Sequence, residues 1–260
     1  MRKYARIFAF AARDQLVYLP AFMARHVFFV VILFVFWSLW RVVFAGRPVI
    51  GGFTLVQTLW YLTFTEAIEM SRSRVFAQVQ EEVRDGTLAL TLSRPLSYTL
   101  YHFSRSMGES CVRALPILAE GFVLATLFVG PLPGYLRALP AGLLLIVLGI
   151  AVSTLWMLAI GLLAFWTEEV APFFWIVQKL VFILGGLFLP LTFFPPGLAA
   201  AARWLPFAFS AWWPAATMVD FSWQAFLTAL AGASAWIAVL AGLVAMLFAF
   251  GRRRVHAQGG

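Results

Sequence analysis

Gln80-Glu81-Glu82-Val83-Arg84-Asp85-Gly86-Thr87-Leu88-Ala89-Leu90-Thr91-Leu92-Ser93-Arg94-Pro95 is the one long polar interlude between apolar spans. It decides the fold, because everything on either side of it reads as membrane. Val75, Phe76, Val79 and Val83 share one face of a helix, while Arg72, Arg74, Glu81, Glu82 and Asp85 stay polar. Gly86 is suited to the left-handed conformation that ends such a helix. A second short helix is expected next, with Leu88 and Leu92 on its apolar side and Thr87, Thr91 and Arg94 on the other. Pro95 disfavours helix at Arg94 and stops it. Two short amphipathic helices joined by a bend suit a membrane surface and a docking partner. A solvated connector without a partner fits the same residues.

Composition fixes the class. The chain has 260 residues, 63% of them hydrophobic and only 12% charged, with a mean hydropathy of +0.90. A soluble domain cannot hide that much apolar surface, so an integral membrane protein is expected. The 27 Phe and 11 Trp suit lipid-facing and interfacial positions. A net charge of +8 raises nucleic acid as a partner. The basic residues lie beside apolar spans instead, which argues against it. Cys111 stands alone, so neither an intrachain disulfide nor a cysteine metal cluster is possible. The first apolar run reaches about Ala45, too long for a signal-peptide core, and no cleavage is expected.

Taken in order, residues 1–24 read as an amphipathic helix on the inner leaflet, with Arg2, Lys3, Arg6 and Arg13 among Ile7, Phe8 and Phe10. Six spans follow, near His26–Ala45, Phe53–Met70, Ser106–Gly130, Leu136–Trp166, Pro172–Leu189 and Ala225–Phe250. The polar stretch occupies residues 71–105, between spans two and three. Thr167-Glu168-Glu169 makes a short inner turn. Gly251-Arg252-Arg253-Arg254 stops the last span. The whole chain forms a single transmembrane domain. Fourteen of the 19 Lys and Arg residues fall on the side of the termini and the polar stretch, and four on the other. That bias puts both termini and the stretch in the cytoplasm, with the chain in the inner or plasma membrane.

Residues 190–224, between spans five and six, are apolar and broken by proline. Leu189-Pro190, Pro195-Pro196-Gly197, Leu205-Pro206-Phe207 and Trp213-Pro214 punctuate them. Gly197 to Leu205 suits a helix of ~13 Å, too short to cross. Pieces that dip into the outer leaflet are expected, covered by protein or facing a cavity.

Glu82-x-x-x-Gly86-Thr87-Leu88 followed by Leu92-x-x-Pro95 resembles the loop after the second span of type-2 ABC export permeases. The proline-containing segment, short helix and Leu205-Pro206-Phe207 turn before the last span resemble the same family. The resemblance covers essentially the whole chain. It implies an all-α permease of six transmembrane helices, with an N-terminal interfacial helix, a cytosolic coupling helix and short re-entrant or outer helices. It also implies a second permease, identical or a sister, and a separate ATP-binding cassette subunit that carries ATP and Mg. On this likeness Glu82, Arg84 and Asp85 contact the ATPase, Gly86 and Pro95 shape the bend, and Thr87 and Arg94 complete the coupling motif. The complex would export a hydrophobic, amphipathic or cationic drug-like compound, or a lipid, as in multidrug efflux.

Charges inside spans are expensive and are functional candidates. Glu120 lies near the middle of span three and Lys179 about two turns into span five. One expectation is that Glu120, Lys179, Trp156 and Trp175 line the path of a cationic or amphipathic substrate, the aromatics through cation–π contact. The other is a structural pair of Glu120 with Lys179 or Arg113. Glu109 and Arg113, at i and i+4, can also pair. A proton-coupled secondary transporter using Glu120 is the rival class. No Gly-x-x-x-x-Gly-Lys-Ser/Thr occurs, so the chain has no P-loop. Glu81-Glu82 carries Gly86 where a Glu-Glu-x-x-x-Arg protease needs arginine, and no Gly-x-Ser-x-Gly occurs. His26, His102 and His256 fall near span ends, unlike haem ligands. Neither an enzyme nor a cofactor in this chain is expected.

Overall fold

The computed structural model describes residues 2–15, 19–93 and 95–258, with the backbone alone at 19–22 and 254–258. Regular structure among them is helical, apart from an isolated bridge between Ile50 and Phe53. Helices satisfy their own backbone groups, which a hydrocarbon solvent requires. The helices are α1 (Arg2–Asp14), α2 (Leu19–Val43), α3 (Leu55–Ser71), α4 (Val75–Arg84), α5 (Leu88–Leu92) and α6 (Tyr98–Val129). They continue with α7 (Tyr135–Leu162), α8 (Ala171–Leu184), α9 (Pro196–Ala202), α10 (Pro206–Ser210), α11 (Trp212–Val219) and α12 (Trp223–Gln258).

Among the described residues, four runs are long and apolar enough to cross a membrane: Met23–Val43, Tyr98–Val129, Tyr135–Phe165 and Trp223–Arg253. The second and fifth expected spans stop short of that. α3 has 17 residues and α8 has 14. At ~1.5 Å per residue they measure about 25 and 21 Å, against a hydrocarbon core of ~30 Å. α3 starts late because Thr54 and Gln57 form a reciprocal capping box. α8 ends at Gly185-Gly186, where φ of +70° at Gly186 leaves the helical region.

Burial sorts the helices into a centre and a rim. In α7 78% of the most apolar window is buried, against 22% or less in the other three long runs. Every residue of α3 from Thr58 to Ile68 is buried too. α3 and α7 are therefore the core, and α2, α6 and α12 present broad apolar faces outward. This is the expected arrangement for a bundle whose rim meets lipid.

Glycines on α7 mark where the other elements lie along it. A Cβ on Gly142 would fall on the Met218 side chain of α11, and one on Gly149 would meet the Ser210 carbonyl of α10 at 3.0 Å. One on Gly161 would lie 2.9 Å from the Phe76 Cα of α4. Gly142 and Gly161 are ~28 Å apart along the helix. So α4–α5 sit at one end of the bundle and α11 at the other. Phe165, just beyond α7, packs on Gly251 of α12, and Lys3 of α1 donates to the Pro95 carbonyl at 2.7 Å. Both terminal helices thus meet the α4–α5 end.

Other boundaries also move. α6 begins at Tyr98, eight residues before the expected span three, because its polar first turns are buried against protein: His102, Ser106 and Glu109 are all inside. α12 runs on through Gly251 and Arg252, since one glycine costs a helix only about 1 kcal/mol. α1 does not simply lie on lipid. The Phe8 backbone packs so tightly on Gly108 of α6 that a Cβ there would sit 2.3 Å from the Phe8 oxygen. Pro206 opens α10 at its first turn rather than making only a turn.

Candidate functional site

α4 and α5 form where the local signals place them. Val75, Phe76 and Val79 are buried, Val83 is half-buried, and Gly86 takes φ +73° between the two helices. Leu88 is buried and Leu92 half-buried on the same cluster. Phe76 stacks on Phe174 of α8 with ring centres 4.2 Å apart. Gln80 accepts from the Val170 amide at 3.1 Å, tying α4 to the α7–α8 connection.

The coupling-motif residues divide by exposure. Arg84, Asp85, Gly86, Thr87 and Pro95 face outward, and Arg84 lies 3.5 Å from Asp85. Glu82 turns inward. Its Oε2 accepts from the Tyr98 hydroxyl at 2.9 Å and meets His102 Nε2 at 3.2 Å. Burial alone would raise the Glu82 carboxyl; hydrogen bonds from His102 and Tyr98, with charge from His102 and Arg105, bring it below its ordinary value. Glu82 thus holds α4 on α6. Arg94 lies outside the described residues. An open groove of about 490 Å³ lies beside Arg84, between Gln80 and Val83 of α4 and residues 164–168.

At the foot of α3 is a charged network that single-helix spacing only hinted at. Arg72, almost fully buried, pairs with Glu69. Gln178 of α8 donates to the other Glu69 oxygen at 2.7 Å, and the Arg72 guanidinium lies over the Trp156 ring of α7 at 5.5 Å. One turn deeper in α6, Glu109 gathers Ser73, Arg105 and Arg113 at 2.8, 3.1 and 3.5 Å. The expected Glu109–Arg113 pair therefore forms. Arg113 also donates to Gln15 at 2.7 Å and to the Arg72 carbonyl at 3.3 Å. The i, i+3 spacing of Glu69 and Arg72 could have signalled their pair. The partners on α7 and α8 had no such signal, and on α6 only the i, i+4 spacing of Glu109 and Arg113 signalled a pair.

A cavity of about 680 Å³ opens beside this network, between α2, α3, α4 and α8. Arg25, Arg72, Arg74 and Lys179 line it, with Glu69 as the one carboxylate; Phe28, Phe174, Trp175 and Phe182 supply an aromatic wall. Of the four expected path residues it brings together Lys179 and Trp175. Trp156 lies behind Arg72. Glu120 does not line the cavity. Neither Lys179 nor Arg113 pairs with it; its partner is His26 of α2. Helical spacing showed Arg113 on the same face, but tertiary packing brings α2 closer.

The arrangement offers an exposed polar bend at one end, rigidly keyed to α6, α7 and α8, and a basic aromatic cavity just inside it. A family model described as ABC-2 family transporter protein matches residues 27–259. No curated protein matches the chain.

Proposed function

The chain belongs to the ABC-2 family of transporter proteins, and from that premise we propose that it is the transmembrane subunit of an ATP-driven exporter whose α4–α5 bend takes up the force. The family is of multi-pass membrane subunits without an ATPase site of their own, and it implies an ATP-binding cassette partner. In this reading ATP and magnesium stay on that partner. A second permease, identical or a sister, completes the translocation path. α3 and α8 make the second and fifth passes as shorter crossings beside thinner or protein-lined bilayer. Both termini and α4–α5 face the cytoplasm of a cell membrane, where the basic residues concentrate. α9–α11 pack at the other end as pieces that do not cross.

The observation that carries the reading is the placement of α4. Its outer residues Arg84 and Asp85 are exposed, while its inner face is locked to α7 at Gly161 and to α8 at Phe174. A push on the bend therefore reaches α7 and α8 directly, and reaches α3 through Arg72 and Arg74. The groove beside Arg84 extends the docking surface to the α7–α8 connection. The cargo is hydrophobic or amphipathic, entering from the cytoplasmic leaflet through the cavity between α2, α3 and α8. Its basic lining speaks against a cationic drug-like cargo.

Co-expression with the partner tests this. Purified with its ATP-binding subunit, the Arg84→Glu variant should stay in the membrane and hydrolyse ATP without export. A preparation that transports without any ATP-hydrolysing subunit would instead favour the proton-coupled reading through Glu120.

A further inference from the structure

Arg72 is a guanidinium almost wholly removed from water, and only part of it is satisfied. Its Nη1 pairs with Glu69, but Nε and Nη2 meet no hydrogen-bond acceptor among the described residues. Burying such donors unpaired is expensive. Arg72 also contributes to the cavity lining, where Arg25, Arg74 and Lys179 add three further cations. The single carboxylate there, Glu69, is already taken up by Arg72 and by Gln178. Cations therefore outnumber carboxylates four to one in the polar part of the cavity, and its other wall is aromatic. Phe174 is fixed by stacking on Phe76, and Trp175 is 58% exposed beside it.

We infer that this cavity binds an amphiphile with an anionic headgroup, a phosphate or carboxylate on an apolar body. The headgroup oxygens accept from Arg74 and Lys179, and from the Arg72 donors once that buried guanidinium turns toward the cavity. A fork of guanidinium donors suits a planar or tetrahedral oxyanion. The apolar body lies along Phe174 and Trp175 toward the lipid-facing side of α8. Arg74 immediately precedes α4. A headgroup held by Arg72 and Arg74 therefore bridges the foot of α3 and the start of the force-bearing helix, so cargo occupancy and the position of α4 are coupled. This specifies the cargo of the exporter proposed above and rests on that reading.

The test uses the full chain purified in neutral detergent and followed by native mass spectrometry. Dodecyl phosphate, inorganic phosphate and dodecyltrimethylammonium are titrated separately. Dodecyl phosphate should saturate at one per chain, at least tenfold tighter than either of the others. The double variant Arg74→Glu/Lys179→Glu, at exposed positions that leave the core intact, should weaken it at least tenfold. Arg72→Gln should do the same if it folds. Equal binding of the ammonium compound, equal binding of inorganic phosphate, or indifference to the double charge reversal overturns the proposal. Co-purification of an ATP-hydrolysing subunit is scored separately. Binding without that subunit keeps the site and sinks the exporter; the subunit without binding does the reverse.

Discussion

Gly161 of α7 lies so close to Phe76 of α4 that a Cβ on Gly161 would stand 2.9 Å from the Phe76 Cα and 3.0 Å from the Val79 Cβ. The nearest atom is backbone, which cannot swing aside as a side chain can. The outer bend and the central helix are therefore in direct contact, without an intervening side chain at that point.

Filling this contact should separate the two. Gly161→Leu should destabilise the permease by about 1–3 kcal/mol through overpacking, seen as a lower midpoint of thermal unfolding in detergent. Gly161→Ala should show a smaller loss. In the complex, Gly161→Leu should reduce export per ATP hydrolysed more than it reduces hydrolysis. Unchanged stability and unchanged stoichiometry in both variants would show that the contact is not tight in the working protein.

Gly86 isolates a backbone effect. Its φ is +73° and nothing lies within 4 Å of where a Cβ would be. A substitution there meets strain but no clash. Gly86→Val should cost about 1–2 kcal/mol, the usual penalty of left-handed backbone for a side-chained residue, while Gly86→Asn should cost less. Hydrogen exchange at the α4–α5 amides reads both. Equal protection in the two variants would mean that the bend relaxes out of this conformation.

Glu82 makes the α4–α6 tie sensitive to acid. Its carboxyl titrates below the ordinary value when folded. The tie therefore contributes fully above about pH 4.3, the usual glutamate value. It is lost as pH falls through the lower, folded value. Exchange at α4 amides should rise over that acid window in the native chain. In Glu82→Gln it should be faster already at pH 7, by about 1 kcal/mol for the lost charge-assisted bonds, and should lose the acid dependence. A native chain with flat exchange down to pH 3 would refute the tie.

His26 and Glu120 join α2 to α6 across 94 residues of sequence. Glu120→Ala and His26→Ala should each destabilise by about 1–3 kcal/mol, because each leaves a half-buried polar partner behind. The double variant should lose clearly less than the sum, as contacting residues do. ATP-driven export by Glu120→Gln should persist. Full additivity of the two alanine variants would show that the pair is not a tie.

What the sequence determined by itself was local or compositional. Its hydropathy required a membrane protein, and helical periodicity with Gly86 placed the α4–α5 bend. Each of those signals is written in residues a few positions apart. The tertiary structure decided the lengths and the partners. α3 is held to 17 residues because Thr54 caps it late, and Glu120 turned to His26 rather than to Arg113 or Lys179. The cavity gathers Arg25 of α2, Arg74 of the α3–α4 connection and Lys179 of α8. Periodicity says which face of a helix is buried but not which helix covers it. The sign of charge in a cavity is therefore invisible until those faces meet.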